Sequence, residues 1–323
     1  MRKKVLLLLL LLVLAAACFI PVTLQKSTII KYSFLNTYSL LAKPLKWEQW
    51  RPELRKALNN DSDKIIIQRD SSAFTITYKG LKFIVKPKGN SFDINEQADG
   101  KTTDYSFAMV PVPDKFLNKT IVSVEQKTNA INYLAGKLAP SSFLNDRLNE
   151  LKTYVETDSL LYGFNIFKTG VPESFLIVTQ KEVSNGEKFT VAAKLLAALQ
   201  QFVKTNNIKQ MQPVIAQFNQ NLKDSTQVKV GFFINKEVKT GNGIEFNRMP
   251  KGGPLYAVRF KGEFSKRGKA YDALKQYFAD HSHQLVILPI ETYLDNKLPV
   301  NDNDTVDIQV NFGTFPSGNG ASK

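Results

Sequence analysis

Between residues 171 and 312 the chain repeats itself weakly, at a period of about 75 residues, and this constrains the fold more than any other feature. The first copy reads VPESFLIVTQ, KFTVAAKLLAALQQFVKTNN, PVIAQFNQ and TQVKVGFFI; the second reads GGPLYAVRFKG, GKAYDALKQYFADHS, LPIETYLDN and TVDIQVNF. Each copy predicts strand, helix, strand, strand. Matching Phe218 to Tyr293 also aligns the helices and the last strands. The period is too long for a solenoid and indicates two fused halves about a pseudo-two-fold axis. Each helix carries one apolar stripe, Leu195, Leu196, Leu199 and Phe202 in the first, Tyr271, Leu274, Tyr277 and Phe278 in the second. Both helices are therefore expected against one face of a joint sheet.

Upstream, residues 27–157 have a different order. STIIKYSFLN alternates as a strand does, and TYSLLAKPLKWEQWRPELRKAL is helical but broken by Pro44 and Pro52. Short strand candidates follow, among them KIIIQR, AFTITYKG, LKFIVKP, SFDINEQ and TDYSFAMVPVP. SSFLNDRLNELKTYVET closes the region, with Phe143, Leu144, Leu148, Leu151 and Val155 at helical spacing. The layout is α+β: a first region over 27–157, a second over 158–316, and a disordered tail over 317–323.

The first 26 residues predict a membrane segment. MRKK is followed by VLLLLLLLVLAAACFIPVTL, twenty residues without a charge and long enough to cross a bilayer as a helix. An uncleaved single-pass transmembrane anchor is the favoured expectation. Its basic flank would stay in the cytoplasm and the globular part would be extracytoplasmic. LAAAC leaves two alternatives, a cleaved signal and a bacterial lipobox with Cys18 acylated.

Composition excludes several chemistries. Cys18 is the only cysteine, so the folded part has no disulfide and no thiolate nucleophile. The two histidines, His281 and His283, stand in DHSHQ without a third ligand, which reads as a polar turn and not a metal site. No Gly-rich phosphate loop or Ser-His-Asp order appears, and no cofactor is expected. The net charge of +14 includes three positive charges in MRKK, and the remaining lysines are scattered among acids. Nucleic acid is accordingly not expected as a partner. Oligomeric state is left open.

Two resemblances add to this. The order of elements over 27–157, with KWEQWRP (Trp47, Trp50, Pro52) and FLNDRLNELKTYVE, resembles the START-like, or SRPBCC, superfamily. That resemblance implies a sheet gripping the C-terminal helix around an apolar cavity for a lipid-like or aromatic molecule. From the residues alone, Trp47 and Trp50 at i,i+3 read as core packing. GGPLYAVRFKGEFSKRGKAYDALKQYFADH with PIETYLDN resembles the GyrI-like domain, the effector-binding domain of AraC-type and multidrug-sensing activators. It implies a ligand, often an aromatic cation, cupped between two halves and answered by a buried glutamate. Some relatives without a DNA-binding part are hydrolases of cyclopropane compounds that use a glutamate with a tyrosine. This chain departs from the family pattern in having Glu263 and Phe264 after Gly262.

Glu291 occupies the position of that glutamate. As a strand, the segment places Glu291 and Tyr293 on one face, with Val286, Leu288 and Ile290 on the other, toward the helices. Glu291 would then open onto the concave side. Its first-half equivalent is Ala216, so the carboxylate has no symmetry mate. A buried carboxylate takes up a proton or finds a positive partner. A small hydrophobic or cationic ligand, ringed by Tyr256, Phe175, Phe232 and Phe312, would satisfy it. The alternatives are a lysine partner or open water for Glu291, hydrolysis with Glu291 as base and Tyr293 as acid, and a non-catalytic envelope interaction protein.

Overall fold

The computed structural model describes residues 19–58, 64–113, 118–131, 133, 143–222 and 224–315. The chain divides into two compact units, the second beginning at Tyr162. Both are α+β, each with one large antiparallel sheet. The expected tail over 317–323 lies outside the described residues.

The first unit runs β1 (Pro21–Ile30), α1 (Phe34–Ala42), α2 (Pro44–Trp50), α3 (Pro52–Leu58), β2 (Ile66–Arg69), β3 (Phe74–Tyr78), β4 (Leu81–Lys88), β5 (Ser91–Ala98), β6 (Lys101–Pro111), β7 (Thr120–Asn129), α4 (Phe143–Glu156) and α5 (Asp158–Leu161). Pro44 and Pro52 open α2 and α3, at positions where the missing N–H is not needed for a helical hydrogen bond. The Ser33 hydroxyl caps α1 by accepting from the Asn36 N–H at 3.2 Å. Lys79 and Gly80, both at positive φ, make the two-residue turn between β3 and β4. The sheet order is β1-β7-β6-β5-β4-β3-β2, so the strands that begin and end the run lie side by side. Helix α4 turns Leu144, Leu148, Leu151 and Val155 into the core.

Trp47, Trp50, Phe83, Phe92 and Phe107 are fully buried in one apolar cluster of this unit, so the two tryptophans are core residues, as their i,i+3 spacing predicts.

The expected membrane anchor is corrected. Residues 1–18 lie outside the described residues. From Pro21 the apolar stretch forms β1, paired residue for residue with β7 from Pro21↔Asn129 to Ile30↔Thr120. Pro21 supplies the reason, since the residue before a proline is pushed out of the helical region and β-branched residues follow. Among the described residues no helix is long and apolar enough to cross a membrane. The single-pass topology, the extracytoplasmic location and the membrane as partner rested on that helix and fall with it.

The second unit runs β8 (Phe167–Gly170), β9 (Phe175–Ser184), α6 (Lys188–Thr205), β10 (Ile215–Leu222), β11 (Ser225–Ile234), β12 (Ile244–Arg248), β13 (Pro254–Glu263), α7 (Gly268–Asp280), β14 (Ile290–Tyr293) and β15 (Thr305–Gly313). A 3₁₀ turn precedes each long helix, at Asn185–Glu187 and at Phe264–Lys266. The sheet order, β12-β9-β11-β10-β14-β15-β13-β8, reads the same from either end once the halves are exchanged. At its centre β10 meets β14, with Ala216 directly opposite Glu291. The equivalence drawn from the repeat is thus a physical pairing across the pseudo-axis. Val228, Val230, Phe232, Val258, Ile308 and Val310 point to the helical face, where Leu199 of α6 and Leu274 of α7 join the core. Ile215, Phe233 and Leu255 point the other way and form a smaller apolar cluster.

Candidate functional site

Strand β14 is only four residues long, because the preceding QLVILP is irregular. Its pleat still puts Glu291 and Tyr293 on one face. That face is the helical one, which reverses the orientation expected from sequence: Tyr293 joins the core under α7, while Ile290 and Thr292 face the opposite side. With residues 284–289 not in a strand, the phase of Val286 and Leu288 carried no information about Glu291.

Glu291 is completely buried. Its Oε1 accepts from Arg267 Nε at 2.7 Å and from Tyr271 Oη at 2.6 Å, and its Oε2 accepts from Tyr293 Oη at 2.7 Å. Arg267 immediately precedes α7 and Tyr271 follows four residues later, so the helix presents both toward one strand position. The Arg267 guanidinium lies 3.6 Å from the centroid of the Phe264 ring and donates from Nη1 to the Phe264 carbonyl at 3.2 Å. Phe189 and Phe218 meet Phe264 edge-on, each at 5.2 Å. Phe264 thus supplies the ring beneath the cation. The positive partner of Glu291 is therefore a side chain of the protein itself, where a guest was expected. The Arg267 side chain is 19% exposed, whereas the carboxylate it pairs with is not exposed at all.

Burial and the neighbouring Glu291 charge push the Tyr271 and Tyr293 phenols well above the usual tyrosine range. Both phenols stay neutral in the folded protein at pH values where unfolded tyrosine ionises, above about 10. Their contribution to stability is complete below that pH and is lost as pH rises toward the folded values. The expected loss is about 1.4 kcal/mol per pH unit for each phenol. Denaturant unfolding between pH 9 and 11 should show a shallower decline for Tyr271→Phe than for the unaltered chain.

The other sequence candidates are scattered. Phe312 is buried and touches Tyr271, with ring centroids 6.1 Å apart. Tyr256 stacks on His283 at 4.7 Å and contacts Tyr277 and Phe278. Phe232 is a fully buried core residue, and Phe175 packs against Phe246 of β12 at 5.8 Å. The hydrogen-bond partners of the Glu291 carboxylate are instead Arg267, Tyr271 and Tyr293. His281 caps the end of α7, and its ring Nδ1 lies 2.9 Å from the Tyr277 carbonyl. Among the described residues no group of acids, histidines or cysteines could hold a metal.

Sequence reasoning missed Arg267 as the counter-ion, although its spacing to Tyr271 was a usable signal. It also missed a buried ionic cluster in the first unit. There the fully buried Arg51 contacts Glu150 at 2.9 Å and Glu96 at 3.4 Å, and Arg147 bridges the same two acids at 2.7 Å and 2.6 Å. Tyr105 donates to Glu96 at 2.8 Å, and the Arg51 guanidinium lies 4.8 Å from the Phe83 ring. These partners are far apart in sequence, so no local pattern announces them. The cluster ties the α2–α3 junction to β5 and α4.

No family model matches the chain, and no curated protein matches it. Among solved structures, the chain is similar to the EcmrR C-terminal domain, at 19% identity over 47% of this chain and 97% of that one, with a TM-score of 0.38. It is similar to EcmrR in the EcmrR–DNA complex, at 17% identity over 58% of this chain and 70% of that one, with a TM-score of 0.41. It is also similar to a START superfamily protein from Mycobacterium smegmatis, at 18% identity over 42% of this chain and 97% of that one, with a TM-score of 0.28. The expected exclusion of nucleic acid does not stand beside a similar protein solved on DNA, and it is withdrawn; no DNA binding is assigned in its place. At these identities and TM-scores the similarities concern the fold at most, and no ligand, partner or activity passes from those proteins to this chain.

Proposed function

We propose that the second unit binds small cationic amphipathic molecules at Glu291, in exchange with Arg267. The observation that carries this reading is the completely buried carboxylate of Glu291, facing a guanidinium laid flat on Phe264. A planar cation over an aromatic ring, against a buried acid and two phenols, is the recognition chemistry of an aromatic or quaternary cation. Here the chain's own arginine fills that role. Because Arg267 is partly exposed at the start of a helix, rotation of one side chain frees both ring and carboxylate.

Binding suits this geometry better than hydrolysis. A general base needs an acceptor position open toward substrate, whereas three donors already converge on the two Glu291 oxygens. Saturating phenyltrimethylammonium is expected to raise the thermal unfolding temperature of the full chain. At a hundred times its Kd the gain is about 2.7 kcal/mol. Glu291→Gln should abolish the gain, and a gain that survives the substitution would refute the site.

A further inference from the structure

On the face of the second sheet away from Glu291, Ile215, Phe233, Leu255 and Ile290 line a cavity of about 250 Å³. No charged side chain lines it. Two of its polar walls are occupied with one another: Gln309 Nε2 donates to Asn311 Oδ1 at 2.7 Å, and Asn311 Nδ2 donates to the Ile290 carbonyl at 3.2 Å. Residues 284–289 pass alongside. The Val286 N–H donates to the Gly313 carbonyl at 3.0 Å, and Gln217 Nε2 donates to the Pro289 carbonyl at 2.6 Å. Between these two ties Ile287 sits on Gly313, where an added Cβ would stand 2.5 Å from Ile287 Cγ1. Glycine is needed at 313 for this segment to seat.

An adjoining groove of about 310 Å³ shares Ile215, Met249, Ile287 and Ile290 with the cavity. Lys229 and Arg248 are among its walls, and no carboxylate is. Arg248 pairs with Glu237, but both are well exposed, and such a pair yields readily to another anion. Leu288, 60% exposed, lies at the groove and leaves it an apolar rim. An uncharged, largely apolar chamber joined to a groove with two cations and no acid matches a molecule with an aliphatic chain and an anionic head.

We infer that the cavity and groove together hold a single-chain aliphatic carboxylate of the fatty-acid class, its chain among Ile215, Phe233, Leu255 and Ile290 and its head at Lys229 and Arg248. This site lies on the opposite face from Glu291 and does not depend on that reading.

Calorimetric titration of the full chain with straight-chain carboxylates, hexanoate to tetradecanoate, tests it. Affinity is expected to rise about fourfold per added methylene until the chamber is full, and then to level off. Dodecanoate should bind more tightly than dodecanol, and dodecyltrimethylammonium most weakly. Met249→Trp, at the junction of the two spaces, should weaken dodecanoate at least about tenfold, an effect of the size of burying a large side chain's area. Lys229→Glu should remove the preference for dodecanoate over dodecanol. Phenyltrimethylammonium should not displace dodecanoate. A series without chain-length dependence, a preference for the ammonium, displacement by phenyltrimethylammonium, or unchanged affinity in either variant with a normal unfolding transition would overturn the assignment.

Discussion

Arg267→Ala is expected to lower the stability of the chain by about 3 kcal/mol, the cost of removing one partner from a largely buried ion pair. The carboxylate of Glu291 has no access to water, so the loss cannot be made good by solvation. Two phenols remain as donors, which keeps the expected cost toward the lower end of the usual range. Arg267→Ala combined with Glu291→Gln should cost less than the sum of the two single changes, because the double variant leaves no uncompensated charge. Equilibrium denaturation of the four proteins gives the coupling directly. Additive losses would mean that the two groups do not support each other in solution.

Trp47→Ala is the second large effect. The indole is fully buried, packs against Trp50, Phe83 and Phe74 at 5.0, 5.6 and 6.1 Å, and donates from Nε1 to the Leu41 carbonyl at 2.8 Å. In a packed interior, truncation leaves a cavity and an unpaired carbonyl, for a loss of about 3–5 kcal/mol. A START-like unit that enclosed an empty apolar chamber at this position would tolerate the change far better. Chemical denaturation of the variant therefore distinguishes a packed interior from a hollow one, and a loss below about 1 kcal/mol would speak for the hollow.

Much of the second unit was legible because its repeat is self-checking. The pairing of Ala216 with Glu291, implied by a period found in unrelated side chains, appears as the cross-strand contact at the centre of the sheet. The helical stripes were legible for the same reason, since Leu199, Leu274 and Phe278 recur at helical spacing and are buried. The edge strands β8 and β12 were not, because neither carries an alternating apolar pattern: FKTG and IEFNR are mostly exposed or half-buried. The face of Glu291 was misjudged because Val286 and Leu288 look like strand residues and are not; local alternation does not show where pairing begins. At the N-terminus a continuous apolar run concealed the start of a strand at Pro21. The ionic cluster around Arg51 was invisible for a different reason, since charges matched over 45 and 99 residues leave no periodic trace.

The candidate site followed the same division. Glu291 and Tyr293 stood out as polar residues in an apolar strand, and their shared face follows from pleat alone. The identity of the counter-ion depends on how α7 is set against β14, which tertiary packing decides. Phe264, read from sequence as a departure from a family pattern, has its meaning only once Arg267 is seen lying on it.

If Arg267 occupies the place of an exchangeable cationic guest, titration calorimetry with phenyltrimethylammonium should separate the unaltered chain from Arg267→Ala. A side chain that must leave before the guest can enter reduces apparent affinity by the fraction of time it is away. Binding at least about tenfold tighter to the variant is the predicted result. Equal or weaker binding to a folded Arg267→Ala protein would contradict it.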